Sequence, residues 1–211
     1  MFPLFDRFFD ANACATAAKI PNMSCTEITL PNSSRAAILL PTNATTIHQQ
    51  KDNGPGKQLQ LASYYPGDPG QPPITECAAG GYFNDDDGDD GDLAATGADC
   101  YAIRWWAQTN VGFWTLTPDN LRADPWTVFV THGDCTVLAS IPADQKTPNW
   151  PIYVGDQDLD NILDTVLTRF MDNDGKVQAD GVINCPTSDG KGGLDMVETT
   201  FWIRSSKGII T

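Results

Sequence analysis

The stretch Val154-Gly155-Asp156-Gln157-Asp158-Leu159-Asp160-Asn161-Ile162-Leu163-Asp164-Thr165-Val166-Leu167-Thr168-Arg169-Phe170 decides the fold class. Leu159, Ile162, Leu163, Val166, Leu167 and Phe170 recur at the three- and four-residue steps of one helix face. Asp156, Asp158 and Asp160 crowd the positive end of the helix dipole, and Arg169 sits near its negative end. Working outward, strands are expected at Phe113 to Thr117, Trp126 to His132, Cys135 to Ile141, Ile152 to Val154, Lys176 to Cys185 and Thr199 to Arg204. Gly133-Asp134 is a two-residue hairpin turn between two of them. Asp99 is read as the cap of a short helix with Cys100, Ile103 and Ala107 on one side, Trp106 beside them and Trp105 pointing elsewhere. Helices separated by meandering strands, without a repeated strand–helix–strand unit, imply an α+β domain: an antiparallel sheet with both helices packed on one face.

The chain has 211 residues, and Lys and Arg number 13 against 27 Asp and Glu, for a net charge of −14. Such a field repels phosphate backbones and anionic lipid, so nucleic acid is excluded as a partner. No uncharged apolar run reaches the ~20 residues of a membrane span. Composition divides the chain at residue 76. Nine of the fifteen Pro precede that point, and all six Trp follow it. Residues 1–76 are therefore expected to be a loop-rich, Pro-rich extension, and residues 77–211 a compact acidic domain.

The six cysteines, Cys14, Cys25, Cys77, Cys100, Cys135 and Cys185, contain no Cys-x-x-Cys pair, and two histidines are too few to complete zinc sites. Sequons at Asn22, Asn32 and Asn43, all within the extension, join the even cysteine count in pointing to secretion and to a glycoprotein. Three charges interrupt the apolar opening Met1 to Asp10, so no signal-peptide core is read there.

The order of several blocks resembles the fungal necrosis-inducing factor domain, a family of small secreted effectors. Those blocks are Cys77 followed by Phe83-Asn84, Ala98-Asp99-Cys100, Gly112-Phe113-Trp114-Thr115, Gly133-Asp134-Cys135, Val154 to Leu159, Gly175 to Cys185, and Trp202-Ile203. The resemblance covers residues 77–204. It implies a four-cysteine α+β domain laid out like the fungal killer-toxin sandwich, with no catalytic residues to carry over. Within the extension, locality pairs Cys14 with Cys25, a closure of ~3 kcal/mol in the chain-entropy model. Three pairings remain for the other four cysteines, of which Cys77 with Cys185 and Cys100 with Cys135 is preferred.

Candidate sites are few. Asp85, Asp87, Asp89, Asp90 and Asp92 supply the oxygens calcium takes, but with Gly88 in sixth place the EF-hand pattern has Phe83 first and Ala94 last. The stretch is read as a solvated acidic loop, and no cofactor is expected. Met171 to Gly175 fails the same test and reads as a helix stop. His132, with Asp134 two residues on, reads as a hairpin-end histidine rather than a catalytic one. Trp105 and Trp150 are the expected exposed aromatics for partner binding, while Trp106, Trp114 and Trp202 are expected between sheet and helices. The function expected is a secreted, non-enzymatic effector binding a protein or carbohydrate partner at an extracellular surface. The alternative is an extracellular structural subunit that self-assembles.

Overall fold

The computed structural model describes residues 14, 20, 22–42, 45–49, 57–68, 70–78, 81–85, 93–118, 126–142, 148–188, 190 and 193–208. Strands β1 (Met23–Thr29), β2 (Arg35–Pro41), β3 (Thr45–Gln49), β4 (Lys57–Leu61) and β5 (Ser63–Pro66) come first. They are followed by β6 (Tyr82–Asp85), β7 (Ala95–Thr96), helix α1 (Gly97–Thr109) and β8 (Gly112–Leu116). The hairpin β9 (Thr127–His132) and β10 (Cys135–Ser140) precedes β11 (Ile152–Gly155) and helix α2 (Asp156–Arg169). The chain closes with β12 (Lys176–Val177), the long pair β13 (Ala179–Ser188) and β14 (Leu194–Ser205), and a 3-10 turn at Ser206–Gly208.

Among the described residues, twelve strands form one sheet, ordered β1-β2-β9-β10-β14-β13-β11-β8-β5, with β3 on β4, β4 on β9, and β6 on β13. Every pairing in it is antiparallel except β4 with β9. The α+β expectation holds, and every strand and both helices expected after residue 77 are present within a few residues. The loop-rich extension is corrected. Its described residues build five strands of the same sheet, because the run Ala36-Ala37-Ile38-Leu39-Leu40 is too apolar to stay in a solvated loop, and pairing with β1 and β9 buries it. β9 holds two of these strands along one edge: Thr131 pairs with Leu39 of β2, and Thr127 and Val128 with Gln60 and Leu61 of β4.

Trp106, Trp114, Phe129, Phe201, Ile103, Ile162, Leu163 and Val166 fill the main core, where the helices meet the sheet. Arg104 joins α1 to α2 through Asp160 and Asp164, each at 2.9 Å. Trp202 is not part of that core. Alternation along β14 sends Phe201 and Ile203 inward and Trp202 to the opposite face, where it stacks on Trp126 at 3.7 Å beside Leu61, Val128 and Leu138. The Arg204 guanidinium lies 3.4 Å from the Trp202 ring centroid.

The start of α1 also differs from expectation. The helix begins at Gly97, and Asp99, in its first turn, accepts a hydrogen bond from the Asp134 N–H in the β9–β10 turn at 2.8 Å. Gly133 in that turn has φ +54°, and a Cβ there would lie 2.6 Å from the Asp99 carboxylate. Disulfides join Cys14 to Cys25, Cys77 to Cys185 and Cys100 to Cys135, the last tying α1 to β10 beside this contact.

Candidate functional site

The first turn of α2 does more than start a helix. Segment 74–78, which is not itself a strand, passes beside it, and the two buried carboxylates hold it by its backbone. Asp156 Oδ1 accepts from the N–H of Ile74 at 2.9 Å and of Gly112 at 3.2 Å. Asp158 Oδ2 accepts from the N–H groups of Glu76, Cys77 and Gly155 at 2.9, 3.0 and 2.8 Å. The Gly155 bond is the third helical residue reaching back to the cap. Gln157 N–H donates to the Ile74 carbonyl, and that carbonyl approaches so closely that a Cβ on Gly155 would sit 1.9 Å from it. Ala78 N–H donates to Asn184 O, and Cys77 is bonded to Cys185, so the far end of the segment is fixed to β13.

Segment 74–78 thereby becomes one wall of a cleft of about 210 Å³ along α2. Its lining includes Phe83, Ile162 and Ile183 as apolar surface, the Cys77 half of the disulfide, and a polar rim of Thr75, Asn161, Thr165 and Arg169 beside Asp158. Sequence reasoning placed Asp158 and Arg169 only as dipole partners and did not reach Asn161 or Thr165. Their spacing at 158, 161, 165 and 169 is the one signal that put them on a single helix face.

Burial sets the electrostatics. Desolvation raises the pKa of Asp156 and Asp158 against the pull of their backbone donors, and it raises Glu76, with the neighbouring Asp158 charge adding to the effect. Tyr64 is pushed up to about 12 by burial and then by Asp156. The folded chain therefore holds protons on these carboxylates more tightly than the unfolded chain does. That contribution to stability is complete below the ordinary carboxylate range of about 4 and is lost as pH rises through the folded-state values. Thermal melts are expected to show a higher Tm at pH 5 than at pH 7; a Tm that rises from pH 5 to pH 7 would contradict the assignment.

The other candidate residues fall elsewhere. Trp150 is 48% exposed, and its Nε1 lies near Gly190 of the β13–β14 turn. Trp105 is half-buried and donates from Nε1 to the Thr29 carbonyl of β1 at 3.0 Å, so its expected exposure is corrected: β1 belongs to the sheet and supplies that acceptor. His132 Nδ1 is 2.7 Å from Ala37 O, and Nε2 faces Asp99 Oδ1 at 3.8 Å. The nearby Ser205 hydroxyl donates to Asp134 instead, so neither ring nitrogen is placed to take its proton.

Asn22 and Asn32 are both exposed, Asn32 in the β1–β2 turn with its Oδ1 accepting from Ser34 N–H at 3.1 Å. Asn43 lies outside the described residues. So does the acidic loop, of which only the Asp85 backbone is described, paired opposite Ala179. Among the described residues no group of His, Cys, Asp and Glu side chains is placed to hold a metal, and no helix is long and apolar enough to cross a membrane.

Most of this site lies within the part of the chain that a family model matches. The model of the Hce2 family, described as "Pathogen effector; putative necrosis-inducing factor", matches residues 76–185, just over half of the chain, and the protein belongs to that family. The match opens at the clamped segment and closes at Cys185, in the middle of β13. No curated protein matches the chain.

Proposed function

We propose that this protein is a secreted, non-enzymatic fungal effector that binds a protein or carbohydrate partner outside the cell and induces necrosis in the host. The observation that carries the reading is how the family's Gly-Asp-Gln-Asp block is used. Its two carboxylates are occupied by five backbone N–H groups, so they build a binding wall and do not form an acid–base pair. Three disulfides suit a protein that works outside the cell. Glycans on the extension fit the same route, and calcium is not part of the reading. The helices packed on each other against an antiparallel sheet support the killer-toxin layout, with both helices on one face.

Infiltration of the purified protein into plant leaves is the test, beside Trp150→Ala and Arg169→Met variants. Cell death from the native chain, reduced at least severalfold by one variant, is expected. Absence of cell death across several hosts would overturn the reading.

A self-assembling subunit is the second reading, favoured by exposed apolar side chains at the far end of the β13–β14 pair, Leu194 at 68% and Met196 at 49%. Size-exclusion chromatography with light scattering separates the two: a single monomer peak supports the effector, and large oligomers or filaments support assembly.

A further inference from the structure

We propose that the cleft along α2 is a recognition pocket for an acidic peptide segment, taking an apolar side chain onto Phe83, Ile162 and Ile183 and a carboxylate onto Arg169 and the amide of Asn161. The proposal rests on the binding reading above and gives it a chemistry.

An inventory of donors and acceptors around the rim carries it. Asp158 Oδ2 is occupied by three backbone N–H groups. Thr165 spends its hydroxyl hydrogen on the Asn161 carbonyl at 2.9 Å. Asn161 Oδ1 accepts from Gln157 Nε2 at 3.2 Å, and its NH₂ donates to no partner among the described residues. Arg169 has no carboxylate partner among the described residues either.

Three acidic groups close to Arg169 along the chain are engaged elsewhere. Asp160 and Asp164, on the same helix, are held by Arg104. Asp172 Oδ1 accepts from the N–H groups of Asp174 and Lys176 at 2.9 and 2.8 Å. The rim thus offers a guanidinium and an amide beside apolar surface, which is complementary to an acceptor-rich, negatively charged group on an apolar stem. The net charge of −14 opposes this only weakly at contact, because charges beyond ~8 Å are screened at physiological salt. A cleft of about 210 Å³ has room for one or two side chains of a peptide. Arg169 also complements the helix dipole, and a purely structural role is the outcome the experiment must separate.

The probes are acetyl-Ile-Glu-Leu-amide and its neutral counterpart acetyl-Ile-Gln-Leu-amide, titrated into the isotope-labelled full chain and followed by NMR. The Glu peptide is expected to shift the Asn161 side-chain amide and the Arg169 Nε–H saturably and to bind at least about fivefold more tightly than the Gln peptide. Arg169→Met should leave the fold intact by its amide spectrum and remove that discrimination, and raising salt from 50 to 500 mM should shrink it in the native chain. Equal affinity for the two peptides, discrimination that survives Arg169→Met, or no saturable shift with either peptide would each overturn the proposal. Discrimination without leaf necrosis would leave the pocket standing and sink the effector reading; necrosis without discrimination would do the reverse.

Discussion

A chain beginning at Cys77 is expected to lose cooperative folding, although it keeps all of the family-matched residues but one. The reason is where the preceding strands put their side chains. Ile38, Leu40 and Ala62 belong to the main core, and Leu61 is enclosed with Val128 and Leu138 on the opposite face. Tyr64 packs against Trp106 and Trp114, with ring centroids 5.4 and 4.9 Å away. Each large side chain of this kind contributes ~1.5–3 kcal/mol by burial. Losing Ile38, Leu40, Leu61 and Tyr64 together costs on the order of 10 kcal/mol, comparable to the whole net stability of a domain at about 5–15 kcal/mol. Their partners would also be laid open, because β9 would lose both strands on one edge and β8 would lose β5. Residues 77–211 should be insoluble or melt without a cooperative transition. A sharp thermal unfolding of that fragment within a few degrees of the full chain would show that the extension is dispensable.

This outcome bears on what the sequence could reveal. The α2 stripe and the β-branched runs after residue 100 carry their periods openly, so helix, strands and the α+β class were legible. β2 was not, because Arg35 to Pro41 has no polar alternation, and a fully buried strand set among Pro, Asn and Ser turns looks like part of an irregular segment. Trp202 was legible and misplaced. Its neighbours Phe201 and Ile203 face the main core, and a period of two sends Trp202 to the other face whatever its hydrophobicity. Of the cleft, only the Asp158 end could be anticipated. Thr75, Phe83, Asn161 and Ile183 come together through a segment held by side chain-to-backbone bonds and a disulfide, and local propensity carries no trace of such contacts.

Asp158→Ala is expected to be among the most damaging single substitutions outside the apolar core. The side chain it removes accepts from the N–H groups of Glu76, Cys77 and Gly155, in a place where Asp158 is only 4% exposed. A buried donor left without a partner costs about 1–3 kcal/mol. Part of that is offset because the same substitution removes a carboxylate whose burial is itself unfavourable, as its raised pKa shows. A net loss of about 3–5 kcal/mol remains, lowering Tm on the order of 10 °C for a chain of this size. Asp158→Asn keeps the shape and one oxygen acceptor and should lose roughly half as much. Asp156→Ala, which orphans two donors where Asp158→Ala orphans three, should fall between them. The Cys77–Cys185 bond will keep the segment tethered in every variant, so the damage should first appear locally. Hydrogen exchange at the Glu76 and Cys77 amides should accelerate by at least tenfold under conditions where the β13–β14 amides stay protected. If Asp158→Ala melts within about 2 °C of the native protein and those two amides remain slow, the segment is held by the disulfide and its apolar contacts, and the acidic turn of α2 is not the clamp.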